Sequence, residues 1–68
     1  MDYNYLEKLI AGRETPLAGT NEDGEHVIVI KGTNANGNYI ETQTLQSNGW
    51  TRINTYYECG DTEETYKK

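Results

Sequence analysis

The chain has 68 residues with eleven acidic against six basic, a formal charge of −5, one cysteine and one histidine. A length of this order allows one domain, 1–68, and leaves much of its surface exposed even when folded, while Cys59 and His26 are too few for an internal disulfide framework or a structural zinc site. The negative charge repels phosphate backbones and anionic membranes within a Debye length, so direct nucleic-acid or membrane binding is disfavoured.

The N-terminus "MDYNYLEKLI" has neither the basic start nor the apolar run of a signal peptide, and no segment approaches the roughly 20 apolar residues of a membrane span. The expectation is a soluble, cytoplasmic protein with a reduced thiol at Cys59.

Residues 4–11 read as a short helix, because Asn4 followed by Glu7 has the spacing of a capping box and Gly12 offers a left-handed C-terminal cap. Leu6, Leu9 and Ile10 fall on one face, with Tyr3 at its edge. Two turns of helix are not stable alone in water and must dock on something, the sheet being the obvious partner.

The segment 12–24 is rich in turn signals: Pro16 fixes the local backbone, Asn21-Glu22-Asp23-Gly24 offers a reversal, and Leu17 to Thr20 offers a short edge strand. Residues 25–66 then predict a β-meander. Its first strand, Glu25 to Lys31, carries Val27, Ile28, Val29 and Ile30 in an unbroken row, so both of its faces ask for burial. The next strands, Tyr39 to Gln46 and Trp50 to Tyr57, are joined through Asn36-Gly37 and Asn48-Gly49, pairs that favour two-residue type I′ turns. Cys59-Gly60-Asp61 reads as a further reversal, returning Thr62 to Tyr66 as a fourth strand. The predicted fold class is therefore α+β, a short N-terminal helix packed on a three- to four-stranded antiparallel β-meander.

Two-residue turns fix a register. Pairing across Asn36-Gly37 sets Ile28 opposite Leu45, and pairing across Asn48-Gly49 sets Leu45 opposite Arg52 and Ile40 opposite Tyr57. One face then carries Ile28, Ile30, Tyr39, Leu45, Trp50 and Tyr56. The other carries Val27, Val29, Ile40, Ile53 and Tyr57 among threonines 42, 44, 51 and 55. A slip of one residue exchanges these memberships. The helix is expected on the first face, whose side chains are larger, leaving the second to a copy of the chain, another protein or the 13–24 loop.

Little in the sequence supports catalysis. His26 reads as a partly buried, hydrogen-bonded histidine, and acids beside Cys59 make its turn a poor setting for a nucleophile. Ser47 precedes a turn, where its hydroxyl satisfies local backbone. "GTNEDGE" resembles a calcium loop at Asn21, Asp23 and Gly24 but lacks the opening aspartate and the closing bidentate glutamate. The seven glycines fall between elements as turn residues. No enzyme activity, cofactor or metal is expected.

What remains are carboxylates and tyrosines. Glu22, Asp23 and Glu25 form one acidic group, and Glu58, Asp61, Glu63 and Glu64 another, with Tyr57 beside it. Tyrosine contributes large area at low entropy cost to protein interfaces, and complementary charge speeds and selects the encounter. These eight residues are the candidate partner-binding set. The expected partner is a protein, with a natural choice being a basic nucleic-acid-binding protein whose groove accepts carboxylates in place of phosphates. In size, acidity and Tyr, Asn and Gly content, with a lone N-terminal helix, the chain is similar to accessory proteins of bacteriophages and mobile elements, including inhibitors of host defence nucleases of the anti-CRISPR kind. That similarity is one of composition and implies a non-enzymatic inhibitor. The alternative is a structural or assembly protein that forms a homodimer through a sheet face or edge.

Overall fold

A computed structural model describes residues 2–68. Helix α1 spans Tyr3–Ile10, followed by β1 (Leu17–Thr20), β2 (His26–Asn34), β3 (Gly37–Leu45), β4 (Thr51–Tyr57) and β5 (Thr62–Lys67). The strands form one antiparallel sheet in the order β1-β2-β3-β4-β5. The expected meander is present, widened to five strands because the short segments on either side of it both pair as edges. Consecutive strands alternate in direction, so the β1–β2 and β3–β4 turns share one end of the sheet, and the β2–β3 and β4–β5 turns share the other.

The helix begins one residue before its expected start. Its N-cap is Asp2 rather than Asn4: an Asp2 side-chain oxygen accepts from the Tyr5 backbone N–H at 2.9 Å. Asp2 is therefore the residue that satisfies an otherwise orphaned helical donor. Gly12 does take the left-handed conformation, at φ +75°. Of the expected apolar stripe, Leu6 and Ile10 are buried along with Tyr3, whereas Leu9 is half exposed.

Register departs from expectation at both hairpins, with different consequences. Between β2 and β3 the paired residues nearest the turn are Asn34 and Gly37, so the loop is Ala35-Asn36 and Ile28 lies opposite Gln43 instead of Leu45. A shift of two keeps every side chain on its face. Between β3 and β4 the loop has three residues, 47–49: the Gln46 N–H donates to the Trp50 carbonyl at 2.9 Å, and the Gly49 N–H donates to the Gln46 carbonyl at 3.1 Å. Gly49 takes φ +87° while no non-glycine residue among the described ones has positive φ, which excludes type I′ and fits a turn closed by a glycine bulge. Leu45 now faces Thr51, and Ile40 faces Tyr56. This shift of one exchanges the two faces of β4, moving Ile53 and Tyr57 to the Ile28 side and Tyr56 to the Val29 side.

The helix covers the Val27/Val29 side, not the Ile28 side. Its core is Tyr3, Leu6, Ile10, Val29 and Ile40, with Leu17, Val27 and Tyr56 packed around it. Size complementarity accounts for the choice: large helical side chains meet a floor of valines and the buried Thr42 and Thr44, whereas Tyr39 and three isoleucines would hold a helix away. Trp50, expected in the core, sits past the turn, 38% exposed, with the Lys68 ammonium 5.6 Å from its ring centroid. Three glycines lie in strands rather than in turns, Gly19 in β1, Gly32 in β2 and Gly37 at the start of β3.

Candidate functional site

The sequence offers two acidic groups, and the fold separates them. Glu22, Asp23 and Glu25 occupy the β1–β2 turn at one corner of the sheet, while Glu58 and Asp61 lie in the β4–β5 turn at the diagonally opposite corner. They do not form one surface.

In the first corner, Asn21 organises the turn. Its side-chain oxygen accepts from the Asp23 and Glu25 N–H groups, each at 3.0 Å, and its amide donates to the Glu25 carboxylate at 2.9 Å. This is an Asx-type turn using its own polar groups, and no metal-holding cluster occurs among the described residues. Glu22 and Asp23 rim an open groove of about 680 Å³ between the helix and β1, in which Leu9, Leu17 and Val27 are exposed to differing degrees. Arg13 shares that rim.

The second corner is built differently. The Tyr57 N–H donates to the Asp61 carbonyl at 2.9 Å and the Gly60 N–H to the Tyr57 carbonyl at 2.9 Å, closing the turn between β4 and β5. Glu58 is tied to β3 twice: its N–H donates to the Asn38 carbonyl at 2.9 Å, and its carboxylate accepts from the Asn38 side-chain amide at 3.2 Å. The helix N-terminus arrives at this same end. Asp2, Tyr3, Tyr56, Tyr57, Glu58 and Asp61 together border a depression of about 90 Å³. Beyond the turn, Glu63 points to the uncovered side of β5 and Glu64 to the helix side, where its carboxylate accepts from the Tyr66 hydroxyl at 2.6 Å. That hydrogen bond, more than partial burial, pushes the Tyr66 phenol above its ordinary pKa.

Among the described residues the one ion pair is Lys31 with Glu7, 3.3 Å apart and well exposed. Among the described residues, the carboxylates of the second corner therefore pair with no cation. Positive charge gathers instead at the far end of β5, in Lys67 and Lys68.

Of the eight candidate residues, the depression brings together Tyr57, Glu58 and Asp61, with Glu63 and Glu64 on the adjoining strand. It leaves Glu22, Asp23 and Glu25 apart. Asp2, Tyr3 and Tyr56 are the members that sequence reading missed. The available signal for Asp2 was its aspartate just ahead of a helical pattern, the preferred N-cap chemistry. His26 and Cys59 are both exposed, and neither lines the groove or the depression, although Cys59 lies between Glu58 and Gly60, which border the depression. No helix among the described residues is long and apolar enough to cross a membrane. Comparison with protein-family models, curated proteins and solved structures finds no match.

Proposed function

We propose that the chain is a non-enzymatic protein-binding module whose acidic corner receives a basic side chain of a partner protein. The observation that carries this reading is the meeting of Asp2, Glu58 and Asp61 with Tyr56 around one depression in which, among the described residues, no cation pairs with these carboxylates; Tyr57 turns its ring to Tyr39 on the other face of the sheet. Its volume of about 90 Å³ is about three water volumes, suited to the head of an arginine or lysine rather than to a small-molecule substrate. Carboxylates would take the charge, and the Tyr56 ring would take the flat guanidinium. Exposed charge pairs contribute only about 0.2–1 kcal/mol each, so the corner acts mainly on selectivity and encounter rate. The partner class is a basic, nucleic-acid-binding protein whose phosphate site these carboxylates occupy, in keeping with an inhibitor.

An NMR titration with an arginine-rich peptide tests the site. Expected are shifts concentrated at residues 2–4 and 56–62, weakening as salt rises, and lost in the Glu58→Gln/Asp61→Asn double variant. Equal or larger shifts at residues 22–25, or none anywhere, overturn it.

A further inference from the structure

The face of the sheet opposite the helix has no covering layer. Its two inner rows run straight across the strands: Ile28, Gln43, Ile53 and Thr65 are paired in turn, as are Ile30, Glu41, Thr55 and Glu63. Tyr39, half-buried, extends the apolar surface toward one end, its ring edge to face with Tyr57 at 6.0 Å; Tyr57 and Thr55 on this face are already buried within one chain, at 5% and 9% exposure. Ile28 is 41% exposed and Leu45 50%.

We infer that this face is the interface of a homodimer, two copies stacking sheet on sheet. Charge is the first reason for choosing a second copy. Of the eleven acids in the chain, the strand positions of this face hold only Glu41 and Glu63. The face is thus the part of a −5 molecule that a like-charged copy can approach, and depletion of charge is the mark of an interface core. Area is the second. The longer molecular extents are 31 and 24 Å, giving a face on the order of 700 Å², close to the roughly 800 Å² per partner of a standard interface.

Self-complementarity is the third reason, and it selects the symmetry. A two-fold axis parallel to the strands and centred on β3, the middle strand, would stack Glu41 on the partner's Glu41. An axis perpendicular to them, midway between the inner rows, sets Ile28 over the partner's Ile30 and Glu41 over the partner's Gln43. The same operation sets Glu63 over the partner's Thr65. Every acid on the face then meets a hydrogen-bond donor. Gln43 already donates to Glu41 within one chain at 2.7 Å, so the two chains share a closed amide–carboxylate ring. Aligned sheets packed about 10 Å apart accommodate this arrangement.

Sedimentation or light scattering of the full chain, from micromolar to about 1 mM, decides the matter. The expected mass is twice the 7.7 kDa of one chain. Ile28→Glu and Ile53→Glu are expected to reduce it to one, with the β-sheet circular dichroism retained because both side chains are already partly exposed. Leu9→Glu, on the helix side, is expected to leave the dimer intact. Glu41→Gln separates the two symmetries: less than about a tenfold change in dissociation constant is expected for the perpendicular axis, whereas a larger tightening would belong to stacked glutamates. A wild-type chain that stays monomeric throughout overturns the dimer. So does a dimer lost in Leu9→Glu but kept in Ile28→Glu. The peptide titration repeated on the Ile28→Glu monomer is expected to be unchanged, so the acidic corner and the dimer stand or fall separately.

Discussion

Tyr3 joins the core to the charged surface. Its ring is buried while its hydroxyl donates to a Glu7 carboxylate oxygen at 3.1 Å, the same oxygen that lies 3.3 Å from the Lys31 ammonium. Burial pushes the phenol above its ordinary pKa, with the Glu7 hydrogen bond and the charges of Glu7 and Glu58 adding to it. The folded state therefore holds the proton more tightly than the unfolded state. The resulting stability is fully present below the unfolded value of about 10 and is lost as pH rises through the higher folded value. Tyr3→Phe keeps the ring and removes both effects. It should cost about 0.5–1.5 kcal/mol at neutral pH and flatten the loss of stability in alkali. Denaturant titrations from neutral pH into alkali measure this, and superimposable alkaline profiles would remove Tyr3 as the titrating group. Gly32 makes a second residue-scale case, for it has an ordinary strand backbone and is needed for space. A Cβ there would stand 2.6 Å from the Tyr39 hydroxyl oxygen and 2.7 Å from Cζ, because the ring of its cross-strand partner lies over the glycine. Gly32→Ala should push that ring aside, disturb its contact with Tyr57 and cost about 1–3 kcal/mol, readable as altered tyrosine ring shifts and a lowered melting temperature.

The helix shows how an element's contribution depends on which of its faces is used. Leu6 is 1% exposed and Leu9 52%, although the two lie on one side of a helical wheel and look interchangeable in sequence. Leu6→Ala should cost about 2–5 kcal/mol and, in so small a chain, unfold much of the population at 37 °C; Leu9→Ala should stay within about 1 kcal/mol. Equal losses in thermal melts of the two variants would place the helix on a different face. The elements themselves were largely legible: alternating β-formers and asparagine-glycine pairs fixed the central strands, and a short amphipathic run fixed the helix. What could not be read was loop length. Asn48-Gly49 carries the signature of a two-residue turn, yet Ser47 joins the loop, and the Asn48 side-chain oxygen accepts from the Trp50 N–H at 2.9 Å. One added residue changes the parity of β4 and with it the membership of both faces, which composition does not encode. The buried threonines at 42, 44 and 55 are part of the same difficulty, since a hydroxyl-bearing residue signals a solvent face even where its β-branched body is packed.

At the scale of the whole molecule, folding sorts charge that the sequence scatters. Both acidic groups were legible as runs, but their placement at opposite corners follows only from the five-strand order, and Asp2 joins Glu58 and Asp61 only because the helix crosses back to that end. The apolar surplus on two faces was legible too, with the covered face misassigned. Its consequence is energetic. The core consists of five buried side chains and a few half-buried neighbours, and full burial of such a side chain stabilises by about 1.5–3 kcal/mol, against a conformational cost near 1–2 kcal/mol for each ordered backbone residue. A lone 68-residue chain is thus marginal, and a second sheet laid on Ile28, Ile30 and Ile53 would double the layers that exclude water. Stability should then depend on concentration. For a dimer of this size, a tenfold increase in chain concentration raises the melting temperature by roughly 5 °C, whereas a monomer shows no dependence. Ile28→Glu should abolish the slope and melt at one temperature, below the wild type at every concentration where the wild type is dimeric. A wild-type melting temperature independent of concentration would mean that the helix-side core alone carries the fold.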